Sequence, residues 1–211
     1  MLQTFLIVWL GVAAAQASPG PNMFAVAGVA LSTGRRDALM VVMGIATGSL
    51  LWSLFCALGM GALFTAVPAL LTLLKFVGGF YLLYMGWKAL RTAARGVDAN
   101  IRATRPSASA LAAWRRGLLV VMTNPKAVLM WLAITTFLYG AGLGGAQVLL
   151  FGPIVATSAI LIYGFYAWLF STRTATSGYA RYWRWIEAVF GAAFGAFGLV
   201  LVGSGLRDLR P

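Results

Sequence analysis

Two hydrophobic runs, one in each half of the chain, are interrupted by proline. The first holds Ser18-Pro19-Gly20-Pro21-Asn22 in an apolar stretch that starts at Leu2. The second holds Thr123-Asn124-Pro125-Lys126 in the stretch from Gly117 to Tyr139. Proline lacks a backbone N–H and its ring clashes with the preceding turn, so each run is predicted to be a broken helix. A bilayer-spanning segment can leave backbone groups unpaired only where it lines a cavity or binds something. Matching breaks in two halves therefore point to a ligand site where the halves meet.

Composition places these runs in a membrane. The chain is 61% apolar and 9% charged, against about 25% charged in a soluble domain. Its 211 residues hold about six spans of ~20 residues and leave no room for a sizeable soluble domain. The expected fold is an all-α polytopic membrane protein, one transmembrane domain over 1–211. Its spans are expected at 3–33 (broken at 19–22), 38–64, 69–90, 115–140 (broken near 124–126), 146–171 and 185–206. Gly34-Arg35-Arg36-Asp37 and Val67-Pro68 read as tight turns, and 91–114 as a polar, Arg-rich linker containing Pro106. Gly140 to Gly145 reads as an uncharged turn and 172–184 as a polar, basic connection.

The net charge of +12 has a membrane explanation. Arg35, Arg36, Arg91, Arg95, Arg102, Arg105, Arg115, Arg116, Arg173, Arg181 and Arg184 fall in three connections. All three lie on one side of a six-span bundle, which is the positive-inside pattern, with both termini on the other side. No soluble fold presents these residues to a nucleic acid. Three spans per half is an odd number, so the second half (about 115–211) is expected to be inverted relative to the first (about 1–90). Weak internal similarity agrees: Ala46-Thr47-Gly48 before Leu50-Leu51 resembles Ala156-Thr157-Ser158 before Ile160-Leu161.

Several chemistries are excluded. Cys56 is a lone cysteine and histidine is absent, while the acids number only Asp37, Asp98, Glu187 and Asp208. No disulfide, redox pair, metal site or cofactor is expected, and no nucleophile–base constellation marks an enzyme. Ala15-Gln16-Ala17-Ser18 has the form of a signal-peptide cleavage site, but no Lys or Arg precedes it and the apolar run resumes after the prolines. It reads as half of a span.

A broken span offers both polarities. The half-helix before the break ends in unpaired carbonyls that favour a cation, and the half after it begins with N–H groups that favour an anion. An amino acid zwitterion carries one of each charge. Lys126 is the sharpest single residue, because a lysine deep in a span costs roughly 2.5–3.5 kcal/mol and so faces a bundle interior or cavity. A structural role, capping carbonyls freed by Pro125 or Pro19, competes with ligand binding. The expected substrate-binding set is Pro19, Gly20, Pro21, Asn22, Asn124, Pro125 and Lys126. Lys75, Asp37 and Glu187 are secondary candidates: Lys75 is expected to snorkel to water, Asp37 to sit in a turn beside Arg35 and Arg36, and Glu187 to pair with Arg184 one helical turn away. Gly44 with Gly48, and Gly191 with Gly195, are expected to let helices approach closely. Trp52 and Trp131 lie deeper than the other tryptophans and are candidates for a pocket lining.

These motifs resemble a known family, the lysine exporter family that includes the homoserine/threonine resistance exporters. The resemblance covers nearly the whole chain. It rests on Ser18 to Asn22, Gly34-Arg35-Arg36, Gly44 with Gly48, Leu74-Lys75 followed by Gly78, Tyr81-Leu82 and Gly86, and Asn124-Pro125-Lys126-Ala127 after Gly117. It implies six spans, a bacterial inner-membrane location, and efflux of amino acids or close derivatives driven by the proton-motive force. The family and the Gly-rich faces point to a homodimer. The chain departs from the pattern at Thr135-Thr136-Phe137, where the family often has a Pro-Gln-Phe-like exit. It departs also at Val120, where asparagine is common, and at Ser49, where an acid sometimes stands. These departures bear on the substrate and the coupling chemistry. The competing readings are a non-transporting membrane scaffold and efflux of another small solute; metal ions and thiol electron transfer are disfavoured by the missing histidine and cysteine pair.

Overall fold

The protein, seen in a computed structural model, is described over residues 2–60, 66–67, 69–95 and 109–209, with side chains throughout except at 60, 71 and 173–180. Pro68, Asp98, Arg102, Arg105, Pro106 and Arg210 lie outside the described residues. Among those described, regular structure is helical: α1 (Leu2–Ala17), α2 (Pro21–Thr33), α3 (Arg35–Phe55) continuing into a π-helical turn Cys56–Met60, α4 (Ala69–Arg95), α5 (Ala110–Thr123), α6 (Pro125–Gly140), α7 (Gly145–Leu169) and α8 (Arg173–Asp208).

The prolines act where expected. A residue before proline is pushed out of the helical region. Gly20, before Pro21, has φ 172° and ψ −178°, and Asn124, before Pro125, has φ −77° and ψ 112°. Each proline then sits at the start of the next helix, where its missing N–H costs nothing. The result is two bent spans, α1–α2 at 46° and α5–α6 at 61°. Residues Arg35–Gly59, α7, and Arg181–Asp208 of α8 are helices long and apolar enough to cross a membrane. Helix α4 falls outside that apolar set and carries Lys75 and Lys88. Its 27 residues nevertheless extend about 40 Å, more than the ~30 Å of a hydrocarbon core. It packs lengthwise on α8 and is long enough for a sixth span.

Two expected boundaries shift. The connection at 172–184 is mostly helix, because α8 starts at Arg173 and that stretch contains no proline. The linker shrinks for the same reason, with α4 running to Arg95 and α5 starting at Ala110. The turn at 141–144 appears where expected, with Gly142 at φ 77°, a conformation that favours glycine.

Glycine sets two of the closest helix pairs. A Cβ at Gly44 would strike the carbonyl of Trp114 on α5, and one at Gly117 the carbonyl of Val41 on α3. Across α4 and α8, a Cβ at Gly86 would lie 2.8 Å from the Gly191 carbonyl and 2.9 Å from the Gly195 nitrogen. Helix α3 also packs on α7, α1 and α2 pack on α7, and α6 packs on α4. One buried apolar cluster joins α2, α3, α5 and α7, and a second joins α1, α6, α7 and the π turn.

The exterior confirms the solvent. On α4, Leu73, Val77, Phe80, Tyr84 and Trp87 form one exposed stripe, and Leu150, Leu161 and Phe165 of α7 and Val189 and Leu199 of α8 are equally bare. Apolar patches on this scale mark contact with a membrane rather than water. Arginine is concentrated at one end of the bundle, where Arg184 Nε donates to the Ala93 carbonyl at 3.0 Å. At the other end Lys75 Nζ and Asp208 Oδ2 form an ion pair at 2.6 Å, with Thr72 Oγ1 donating to the same oxygen at 3.2 Å.

Candidate functional site: a crossing point of two broken spans

The two breaks meet. Asn124 ends α5 and caps α6, its Oδ1 accepting from the Lys126 backbone N–H at 3.0 Å. Its Nδ2 reaches the other break and donates to Asn22 Oδ1 at 3.1 Å. Asn22 Nδ2 in turn donates to Tyr163 Oη on α7 at 3.4 Å. Lys126, at the start of α6, spans the same gap. Its Nζ donates to the Ser18 hydroxyl and to the Ser18 carbonyl at 3.4 Å. It also lies 5.3 Å from the centre of the Phe194 ring on α8, within cation–π range.

The α1 end of the break is held by α7. Tyr166 Oη donates to the Ala17 carbonyl, and Gln16 Nε2 donates to the Val155 carbonyl at 2.9 Å. Ser158 Oγ donates to Gln16 Oε1 at 2.8 Å. Carbonyls that Pro19 and Pro21 strip of helical partners thus acquire side-chain donors, as buried backbone requires. Helix α2 differs from α6 at its start, for Gly20 supplies no side-chain cap. The start of α2 at Gly20 lies beside the Lys126 ammonium.

Between the breaks lies a cavity of ≈ 20 Å³ bordered by Ser18, Gly20, Asn22, Asn124, Lys126 and Tyr163. That volume suits about one water molecule, so the gap is narrow. A Cβ at Gly20 would lie 3.4 Å from Lys126 Nζ, so the ammonium rests against that backbone. A glycine there keeps the gap open.

Of the expected set, Gly20, Asn22, Asn124 and Lys126 border this cavity, while Pro19, Pro21 and Pro125 shape the backbone around it. The secondary candidates fall elsewhere. Lys75 is buried, 6% exposed, and paired with Asp208 instead of snorkelling, because the end of α8 brings a carboxylate to it. Asp37 is half-buried in the first turn of α3, where the helix dipole favours an acid. Glu187 is buried and does not pair with Arg184, whose Nε is taken by Ala93; it lies instead within electrostatic reach of Lys126 and Lys88. Trp52 and Trp131 do not border the cavity: Trp52 Nε1 donates to the Val121 carbonyl at 3.4 Å, and Trp131 is buried beside the π turn. Sequence reasoning missed Gln16, Ser158, Tyr163, Tyr166 and Phe194. Polar residues at 158, 163 and 166 in an otherwise apolar α7 were the available signal.

Helical spans around a polar crossing of two broken ones suit a membrane translocator. Residues 13–205 match the LysE type translocator family, and the chain belongs to it. It is similar to the threonine efflux protein of Salmonella typhi, 31% identical over 205 residues, 96% of this chain and 98% of that protein. The threonine efflux protein of Escherichia coli strain K12 is 30% identical over 203 residues, covering 96% and 98%. An uncharacterized membrane protein of Haemophilus influenzae is 27% identical over 194 residues, covering 91% and 92%. No solved structure matches.

Proposed function

We propose that this protein exports amino acids or close derivatives across the bacterial inner membrane, as a secondary transporter driven by the proton-motive force. The observation that carries the reading is Lys126, which reaches from one break to the other and rests against Gly20 at the start of α2. A cation and a helix start facing one gap favour a carboxylate. Ser18, Asn22 and Asn124 supply neutral polar partners for the substrate's amine. Relatives that export threonine support the substrate class.

Alternating access between inverted halves is the proposed mechanism. Its support is the packing pattern: α3 on α7 and α4 on α8 pair corresponding spans, while α3 on α5 matches α7 on the α1–α2 span. Proton coupling draws support from Glu187, a buried carboxyl within electrostatic reach of Lys126. The arginine-rich end is assigned to the cytoplasm.

The test is counterflow of radiolabelled amino acids in proteoliposomes, over all common amino acids, with and without a pH gradient. Lys126→Ala is expected to abolish uptake while eluting as a folded protein in detergent. Full transport by that variant reduces Lys126 to a cap on the Ser18 carbonyl. A flat response of the native protein across the panel favours a scaffold.

A further inference from the structure

A second cavity adjoins the polar one. It measures ≈ 80 Å³ and lies among α1, α4, α6 and α8, bordered by Val8, Val12, Leu82, Phe137, Phe194 and Phe197 among others. Every bordering side chain is apolar. Ala15 and the flexible thioether of Met130 border both cavities, so the two adjoin there. Phe194 links them electrically as well, since its ring forms a wall of the apolar chamber and also lies under Lys126.

We infer that this chamber receives the substrate's side chain, and that the substrates are amino acids with branched aliphatic side chains. The inference rests on the exporter reading above and deepens it. A carboxylate held at Lys126 leaves the rest of the molecule beside Phe194, Met130 and Ala15, and the free volume in that direction is the chamber. An apolar cavity of ~150 Å³ stays dry and holds benzene, so roughly half that volume suits a branch of three or four carbons. No side chain of the chamber can bond a hydroxyl, so the threonine side chain enters with its hydroxyl unpaired. Valine and threonine have the same shape, which makes them the discriminating pair. Hydrophobic pockets reject such a hydroxyl isostere by about a hundredfold.

The chamber's rim includes Ile7 and Val200, both exposed, so a lipid chain is the rival occupant. Competition in proteoliposomes separates the two. Unlabelled valine and threonine are titrated against radiolabelled leucine counterflow, in the native protein and in Val12→Phe and Phe197→Ala. Valine is expected to compete more strongly than threonine, by up to about a hundredfold. Val12→Phe, which fills the chamber, is expected to lose leucine and valine while keeping alanine. Phe197→Ala, which enlarges it, shifts preference toward larger side chains; either variant suffices if the other fails to fold. Threonine competing as well as valine overturns the inference, as does a preference that neither variant moves, which gives the chamber to lipid. In those cases Lys126-dependent transport still upholds the exporter reading. Absence of any amino acid transport by the native protein sinks both.

Discussion

At Lys126 one side chain closes a gap between two helices that their own backbones cannot close. Pro19 and Pro21 remove the donors that would have satisfied the Ala15 and Ala17 carbonyls, which Ser18 Oγ and Tyr166 Oη serve instead, and the Lys126 ammonium adds a donor at the Ser18 carbonyl. The same geometry makes Gly20 a control point. Its backbone is extended, open to any residue, so strain does not enter. An alanine Cβ would meet Lys126 Nζ at ordinary contact distance, 3.4 Å, and Gly20→Ala is expected to transport at near-native rates. Gly20→Leu adds three more carbons to a cavity of ≈ 20 Å³ and is expected to abolish counterflow at normal protein yield. A transport-competent Gly20→Leu would move the substrate path away from the crossing point. Lysine's presence in a span was readable from the chain; its partner Ser18, between α1 and α2 and 108 residues away, was not.

Helices in this bundle meet through glycine because lipid offers no hydrophobic drive for association and close packing must replace it. The α4–α8 pair shows how unequal such glycines are. Gly86 faces the Gly191 and Gly195 backbone across the contact, whereas a Cβ at Gly195 would meet nothing within 4 Å. Gly86→Ala should therefore force the helices apart at a cost of about 1–3 kcal/mol. Gly195→Ala should be neutral or stabilising by up to ~1 kcal/mol, from helix propensity. Thermal unfolding in detergent separates the two; equal melting temperatures would mean that the contact is looser than described. Small-residue spacing was visible in the sequence for Gly191 and Gly195 but not for Gly86. Which of them touches a backbone depends on how α8 rotates against α4, and no local pattern specifies that.

Across the whole molecule, the crossing point is narrow and Ser49, which borders it, is 3% exposed, so the proposed alternating access has to uncover Ser49 toward each side in turn. Cys56, the chain's one cysteine, is buried and can be replaced by alanine. In that background Ser49→Cys is expected to react with an impermeant thiol reagent applied from either face of the membrane, and substrate should protect it. Reaction from one face alone would contradict a shared, alternately exposed site.

Proline spacing, apolar content and the arginine distribution by themselves determined a helical membrane bundle, its two broken spans and the separation of its charged end. These are local or additive properties, since proline acts on its own turn and hydropathy sums along a segment. Tertiary structure alone decided that Asn22 and Asn124 bond across the breaks, that Lys126 rests on Ser18 and Phe194, and that Lys75 finds Asp208. It also decided that Glu187 is buried within electrostatic reach of the lysine rather than paired with Arg184, and that an apolar chamber opens beside the polar cavity. Each depends on how helices distant in sequence are rotated and spaced, and that is set by the packing of side chains between them.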